Sequence, residues 1–378
     1  MFRRKKQTQP DNNGQQGAHE EQQNNDQKKS KFYRRFAQQE LKGWSPIITG
    51  NVVVLYFLAV AVVCIALGVP ILKAALDVDE YEIRYDDAGI MAGRSSGEQQ
   101  DILLQRRGDG VTSVVNVTIT KDMTPPVYVY FELDRYHQNH KRYVRSRDDA
   151  QTGSLSEIWK LAGSGNGGSS KCAPQQYVNG GPDPSLPHNG EINPCGLIAW
   201  SFFNDSYTAA VVGPDGAPVP LELDQSNIAW QYDRDHLYGD YTPYNFNIFP
   251  DKRGGNTSEV DVSDNQHLMV WLRPAAQPDF RKLWATITVP LAAGTVIQFE
   301  VANRYNTYRF GGHKSIVLST NGWMGGRNMF LGIVYLVVAG LALLTSVAFL
   351  FTYHLGCFGL VKRRKFGDIS QLSWNRAK

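Results

Sequence analysis

Two histidines three residues apart, His137 and His140, are the first candidates for chemistry, because at helical spacing both would face one metal ion. Their neighbours Gln138, Asn139, Lys141 and Arg142 supply no third ligand, and two adjacent cations oppose a bound cation. Asp233 and Asp235 begin like a calcium loop, but Leu237 stands where the third ligand belongs and no closing glutamate follows. That spacing reads as turn chemistry. Gly163–Ser170 (GSGNGGSS) is glycine-rich yet lacks the G-x-x-x-x-G-K-[ST] spacing and the strand–helix flanks of a phosphate loop, so it reads as a flexible loop. The one G-x-S-x-G string, Gly93–Gly97 (GRSSG), has no strand-like run before it, as a nucleophile elbow requires. Paired carboxylates for glycoside hydrolysis stay open, since sequence does not give their separation of roughly 5–9 Å. No catalytic residue, metal ligand or cofactor is assigned.

The elements that would position any site follow from an uneven charge distribution. Residues 1–72 and 328–378 together hold 16 Lys+Arg against 6 Asp+Glu, whereas residues 73–327 hold 23 against 30. Basic surface on the ends and acid in the middle argues against nucleic-acid binding, which places basic surface on the folded domain. From Gly43 to Leu72 there are 30 residues without a charged side chain. Val52–Leu72 would rise about 32 Å as a helix, enough for a bilayer core of roughly 30 Å. A second apolar run, Met329–Tyr353, is closed by Lys362-Arg363-Arg364-Lys365. The positive-inside rule puts both termini in the cytosol and the acidic middle outside. About 46 mostly polar residues precede the first span, which therefore reads as a signal anchor and not a cleaved signal.

The expected organisation is a disordered cytosolic tail (1–31), an amphipathic cytosolic segment (32–46), a transmembrane helix (47–72), an exoplasmic domain (73–327), a second transmembrane helix (328–353) and a cytosolic tail (354–378). In the amphipathic segment Phe32, Tyr33, Phe36, Ala37, Leu41 and Trp44 recur at helical spacing between basic residues. A frayed linker is its alternative, because the segment is short. Strands are expected at Val111–Thr120, Val127–Leu133, Leu283–Leu291, Thr295–Arg304 and Ser315–Thr320, all rich in β-branched or aromatic residues. The fold class is thus a membrane protein, two transmembrane helices with a large β-rich exoplasmic domain. Cys172 and Cys195 are the two cysteines of that domain and form the expected disulfide around a Gly/Pro/Asn-rich loop, contributing roughly 3 kcal/mol by loop entropy. Asn116-Val-Thr, Asn204-Asp-Ser and Asn256-Thr-Ser are N-glycosylation triplets in the same domain. Neither span carries an ionisable group in its interior, so the chain is a poor candidate for an ion pathway of its own.

A set of longer motifs goes further. These are Gln38–Thr49 (QQELKGWSPIIT), Tyr136–Asp149 (YHQNHKRYVRSRDD), Asn193–Tyr207 (NPCGLIAWSFFNDSY), Ile228-Ala229-Trp230, Val270–Trp284 (VWLRPAAQPDFRKLW) and Phe310–Leu331 (FGGHKSIVLSTNGWMGGRNMFL). In collinear order, and with the two-span topology, they resemble the accessory or β-subunit family of lipid flippases, the ligand-effect-modulator or cell-division-control-fifty family that partners type-four P-type ATPases. The resemblance implies antiparallel sheets outside the membrane and an obligate heterodimer with a ten-span ATPase. It implies support of the pump's exit from the endoplasmic reticulum, and ATP-driven phospholipid movement from the exoplasmic to the cytosolic leaflet. Residence would run from the endoplasmic reticulum to the Golgi, endosomal or plasma membrane. The chain would hydrolyse nothing, which agrees with its lack of the D-K-T-G-T sequence of such pumps. Many relatives carry a second, earlier disulfide, and no cysteine lies near Val111–Thr120 here. Candidate partner contacts are Tyr136, Asn139, Arg142, Tyr143 and Arg147, which serve equally well as core or contact, and the small span residues Gly332 and Gly340. The competing readings are a membrane-anchored ecto-enzyme and a receptor, each acting without a pump.

Overall fold

A computed structural model describes residues 33, 35–39, 50–106, 109–148, 151, 170–213, 215–240, 242–248 and 261–352. The expected tails (1–31 and 354–378), the glycine-rich run Gly163–Gly168 and Asn256 lie outside the described residues. Of the amphipathic segment, Tyr33 and Arg35–Ala37 are helical, with Tyr33 and Phe36 exposed. The chain forms two compact units, one comprising residues 63–338 and the other residues 1–62 with 339–378.

In the larger unit, eight strands form two four-stranded antiparallel sheets. The first has the order β1 (Glu80–Arg84), β8 (Lys314–Ser319), β3 (Val127–Leu133), β6 (Phe280–Ile287). The second has the order β2 (Val111–Thr118), β7 (Val296–Asn303), β4 (Ser206–Val212), β5 (Pro218–Leu221). Alternation decides which faces are covered. On β3, Val127, Val129, Phe131 and Leu133 are buried while Tyr128, Tyr130 and Glu132 are only partly so. On β2 the same period buries Val111, Ser113 and Val117 and exposes Thr112, Val114 and Asn116. β8 is buried along its entire length between β1 and β3.

Side chains of both sheets meet in one core that includes Val129, Phe131, Ile316 and Leu318 from the first, and Val117, Ala209, Phe299 and Val301 from the second. The short helices α3 (Lys141–Arg145), α4 (Leu197–Trp200), α5 (Gln231–His236) and α6 (Gln266–Leu272) lie in the connections between strands. Trp271 of α6 stacks near Phe131 and Phe203, and its indole N–H donates to the Ile198 carbonyl at 2.8 Å. A capping box starts α2 (Ser96–Gln105): Ser95 and Glu98 satisfy each other's backbone N–H groups.

The membrane-spanning helices are α1 (Gly50–Leu76) and α7 (Phe330–Leu350), of 27 and 21 residues. At 1.5 Å per residue they extend about 40 Å and 32 Å. Most of their apolar side chains face outward, as lipid-exposed helices require. Close helix approach comes from glycine. A Cβ on Gly332 would lie 2.8 Å from the Cα of Leu72, and one on Gly68 would lie 2.9 Å from Tyr335 Cβ. Within the other unit, Ser346 Oγ donates to the Val54 carbonyl at 3.2 Å.

β3 has the expected bounds, and the other expected strands are present with shifted ends. β6 begins at Phe280 and stops at Ile287, short of Pro290; Leu291 adds only an isolated bridge to Met123. α1 continues to Leu76, beyond the Leu72 expected from the charge-free run, because Lys73 is tolerated in a last helical turn.

Candidate functional site

Of the residues weighed for metal chemistry, Asp233 is built into the fold and the other three are exposed. His137 and His140 are both exposed, and His140 is the residue before α3, not part of a shared helical face. The carboxylate of Asp233 is buried and takes a two-pronged ion pair from Arg273, while Asp235 is exposed. No group of three or more His, Cys, Asp or Glu is arranged to hold a metal ion among the described residues.

No local sequence pattern announces the ionic centre inside the β-rich domain. Lys314, at the start of β8, has no solvent exposure, and neither does the Asp205 side chain. Its ammonium donates to Asp205 Oδ2 at 2.6 Å, Asn303 Oδ1 at 2.5 Å and the Tyr305 carbonyl at 2.7 Å, three acceptors for three protons. Asp205 also accepts from the backbone N–H groups of Arg304 and Tyr305 and from the Tyr85 hydroxyl. Tyr85 in turn shares a hydrogen bond with Tyr207 at 2.8 Å. Burial pulls the Lys314 ammonium down from its ordinary value, and the Asp205 carboxylate pulls it back up. The same burial, with Asp205 alongside, pushes the hydroxyls of Tyr85 and Tyr207 well above their ordinary range. The centre therefore joins β1, β4, β7 and β8 through fully paired groups, a structural tie with no open position for substrate.

A second buried cation ends α6. Lys282 donates to the carbonyls of Val270, Trp271 and Arg273 at 2.6–2.9 Å, at the negative end of the helix. Burial pushes it down to about 7.

Of the candidate contacts, Tyr136 is half-buried, with its ring among those of Tyr143, Trp271, Phe280, Tyr305 and Phe310 at 5.6–6.3 Å. Tyr143 hydrogen-bonds Ser201 at 2.7 Å. Arg147 donates to the Leu272 carbonyl and Asn139 to the Ala276 carbonyl. These four hold the Tyr136–Arg147 segment onto α4, α6 and the chain just after α6, whereas Arg142 is exposed. Gly332 is buried against Leu72, and Gly340 is exposed, with no atom within 4 Å of a would-be Cβ. Exposed aromatics not among the candidate contacts are Tyr232, Trp323 and Trp230, the last two lying in the quoted motifs; the Trp230 ring lies 5.0 Å from the Arg273 guanidinium. The Gly-flanked Trp323 ahead of a span was the available signal.

Cys172 and Cys195 are joined in a disulfide. Next to it, Gly196 has φ +100°, and a Cβ there would fall 2.0 Å from the Ser146 carbonyl oxygen. Only glycine fits. Asn116 is exposed on an edge strand, while Asn204 is half-buried, with its Oδ1 shut away from solvent.

Comparison with known proteins fits this architecture. The family profile described as LEM3 (ligand-effect modulator 3) family / CDC50 family matches residues 71–357. The chain is 41% identical to ALA-interacting subunit 3 of Arabidopsis thaliana, over 91% of this chain and 90% of the relative. It is 32% identical to cell cycle control protein 50B of Homo sapiens, over 84% and 92%. It is 29% identical to the phospholipid-transporting ATPase accessory subunit CRF1 of Saccharomyces cerevisiae, over 83% of each. Two spans, two antiparallel sheets and a match along most of its length make this chain a member of the LEM3/CDC50 family.

Proposed function

We propose that this chain is the non-catalytic accessory subunit of a type-four P-type ATPase that moves phospholipid from the exoplasmic to the cytosolic leaflet. The observation that carries the reading is the similarity, over most of the chain, to relatives named for an ALA-interacting or ATPase-accessory role. In this reading the subunit forms a heterodimer with the pump, supports its exit from the endoplasmic reticulum and travels with it to Golgi, endosomal or plasma membrane. Both termini are cytosolic, and Asn116, Asn204 and Asn256 are luminal glycan acceptors.

The subunit acts through binding energy. A partner that binds some pump states more tightly than others shifts the cycle by that difference and no more. Its exoplasmic domain is suited to this, because the Lys314–Asp205 centre and the aromatic packing around Tyr136 hold the presented surface rigid. On that surface Arg142, Trp230 and Tyr232 are the contacts toward the pump, and the exposed Gly340 offers close approach within the membrane. The test is purification of the tagged full chain in mild detergent, with mass spectrometry of what co-elutes. A P-type ATPase near stoichiometry, whose yield collapses when this chain is absent, is the expected result. A folded, glycosylated chain eluting alone from cells that contain such pumps would overturn the reading.

A further inference from the structure

The segment between β8 and α7 carries a feature that the accessory role leaves unused. Gly322 and Gly325 exchange two backbone hydrogen bonds of 2.9 Å, so Trp323 and Met324 form the tip of a two-residue hairpin. Both are exposed, Trp323 by 75% and Met324 by 45%. The hairpin sits at the exit of the first span: a Cβ on Gly322 would lie 3.4 Å from the Ala74 carbonyl and 3.5 Å from the Val78 side chain. Lys73 and Asp77, the charges that bracket this last turn, mark the level of the headgroups. An exposed tryptophan and methionine at that depth belong in the interfacial layer of the exoplasmic leaflet, where an indole is favoured.

Beside the hairpin opens a cleft of about 360 Å³ lined by Glu80, Tyr130, Arg281, Met324, Arg327 and Asn328, among others. Its cations are not equivalent. Arg281 is committed to Glu80 at 2.8 Å and Glu132 at 2.6 Å. Arg327 is exposed and makes no ion pair among the described residues, and its charged neighbour Lys121 is itself paired with Asp79. An unneutralised arginine beside the outer end of a span runs against the positive-inside bias. It stands where the phosphates of the outer leaflet lie, and arginine with an adjacent amide is suited to a phosphate diester. Across the cleft, Glu80 shares Arg281 with Glu132, and two carboxylates on one guanidinium leave one net negative charge on that side, which favours an amine.

We propose that this cleft is a phospholipid headgroup site in the exoplasmic leaflet, in which Arg327 and Asn328 take the phosphate, the Glu80 side takes a headgroup amine, and the Trp323–Met324 hairpin rests among the acyl-chain roots. The site needs only the membrane placement of this chain and does not rest on the pump reading.

The test uses the full chain, with whatever partner it retains, in nanodiscs of phosphatidylethanolamine or phosphatidylcholine, and native mass spectrometry of bound lipid. One retained phospholipid is expected, with phosphatidylethanolamine above phosphatidylcholine. Arg327→Gln should lower its occupancy roughly tenfold or more, as loss of a charged hydrogen bond implies, and Arg327→Lys should keep most of it. Because Arg327 is exposed, these variants fold. Equal retention in Arg327→Gln overturns the site, as does displacement of the lipid by inorganic phosphate alone. Trp323→Phe should remove a tryptophan component quenched by bromine-labelled lipid; unchanged quenching would place the hairpin outside the bilayer interface and end the proposal. Partner capture should be the same in Arg327→Gln as in the wild type. Its loss together with the lipid would assign Arg327 to the partner surface instead.

Discussion

Replacing Lys314 with methionine keeps the length of the side chain and removes the cation that faces Asp205 inside the β-rich domain. Asp205 would be left without solvent exposure or a cation, still held by two backbone N–H groups and the Tyr85 hydroxyl. Breaking one half of a buried pair costs about 3–5 kcal/mol, and those three remaining donors favour the low end of that range. Asn303 Oδ1 and the Tyr305 carbonyl each lose a donor as well, at about 1 kcal/mol apiece. The expected loss is therefore about 4 to 5 kcal/mol. In a domain of this size each kcal/mol moves a melting midpoint by about 2–4 °C, so the drop should be about 10 °C or more. The assay is thermal unfolding of the full chain in mild detergent, followed by fluorescence-detected gel filtration at one fixed heating rate, because unfolding of such chains is a rate measurement. Asp205→Asn and the double variant complete a cycle. The double variant should be less damaged than the two single losses added together, by more than about 1 kcal/mol, since the two groups touch. A Lys314→Met midpoint within about 2 °C of the wild type, or strict additivity, would refute the claim that this pair ties the sheets together.

Gly196→Ala should abolish most of the folded yield, because its Cβ would collide with the Ser146 carbonyl at a backbone angle closed to alanine; recovery of disulfide-bonded protein reads this out. Gly332→Leu should separate α1 from α7 and lower the midpoint of the isolated chain, whereas Gly340→Leu should leave that midpoint unchanged and reduce capture of the ATPase; the reverse pattern would reassign the two faces. His267 is pushed down to about 4 by burial, from an ordinary value near 6.5. The unfolded chain therefore takes up a proton first, and stability that is full above about pH 6.5 falls by up to about 3 kcal/mol as pH drops to about 4. His267→Gln should flatten that window in a pH series of melts. Asn116→Gln should remove one glycan on gel mobility, while Asn204→Gln should change it less, because Asn204 is half-buried.

How far the fold can be read from the sequence depends on whether the signal is local. The spans and strands β2, β3, β6, β7 and β8 announce themselves through charge-free length or runs of β-branched residues, properties each segment carries alone. β1 (EYEIR) and β5 (PVPL) do not, one being mostly charged and the other half proline. Both are edge strands, where such residues are tolerated, so only the neighbouring strand defines them. β4 is masked by its alanines and the preceding turn residues. The Lys314–Asp205 pair spans 109 residues and exists only once β8 is in register, so composition shows two ordinary charges. The disulfide was legible because the exoplasmic segment offers two cysteines and no choice. Tyr136 and Tyr143 illustrate the opposite limit: aromatic and arginine-rich segments read identically whether they pack inward or outward.

The way the spans enter the first sheet has a mechanical consequence. α1 runs into β1 through Asp77–Asp79, β8 runs out to α7 through residues 320–329, and β1 and β8 are hydrogen-bonded neighbours in register from Glu80–Ser319 to Arg84–Ser315. Both membrane legs thus lead to adjacent rails of one sheet, the first through a short inlet, the inner rail being its most deeply enclosed strand. A tilt or piston displacement of either leg is borne as load along that seam, and the short inlet at Asp77–Asp79 leaves little slack to absorb it.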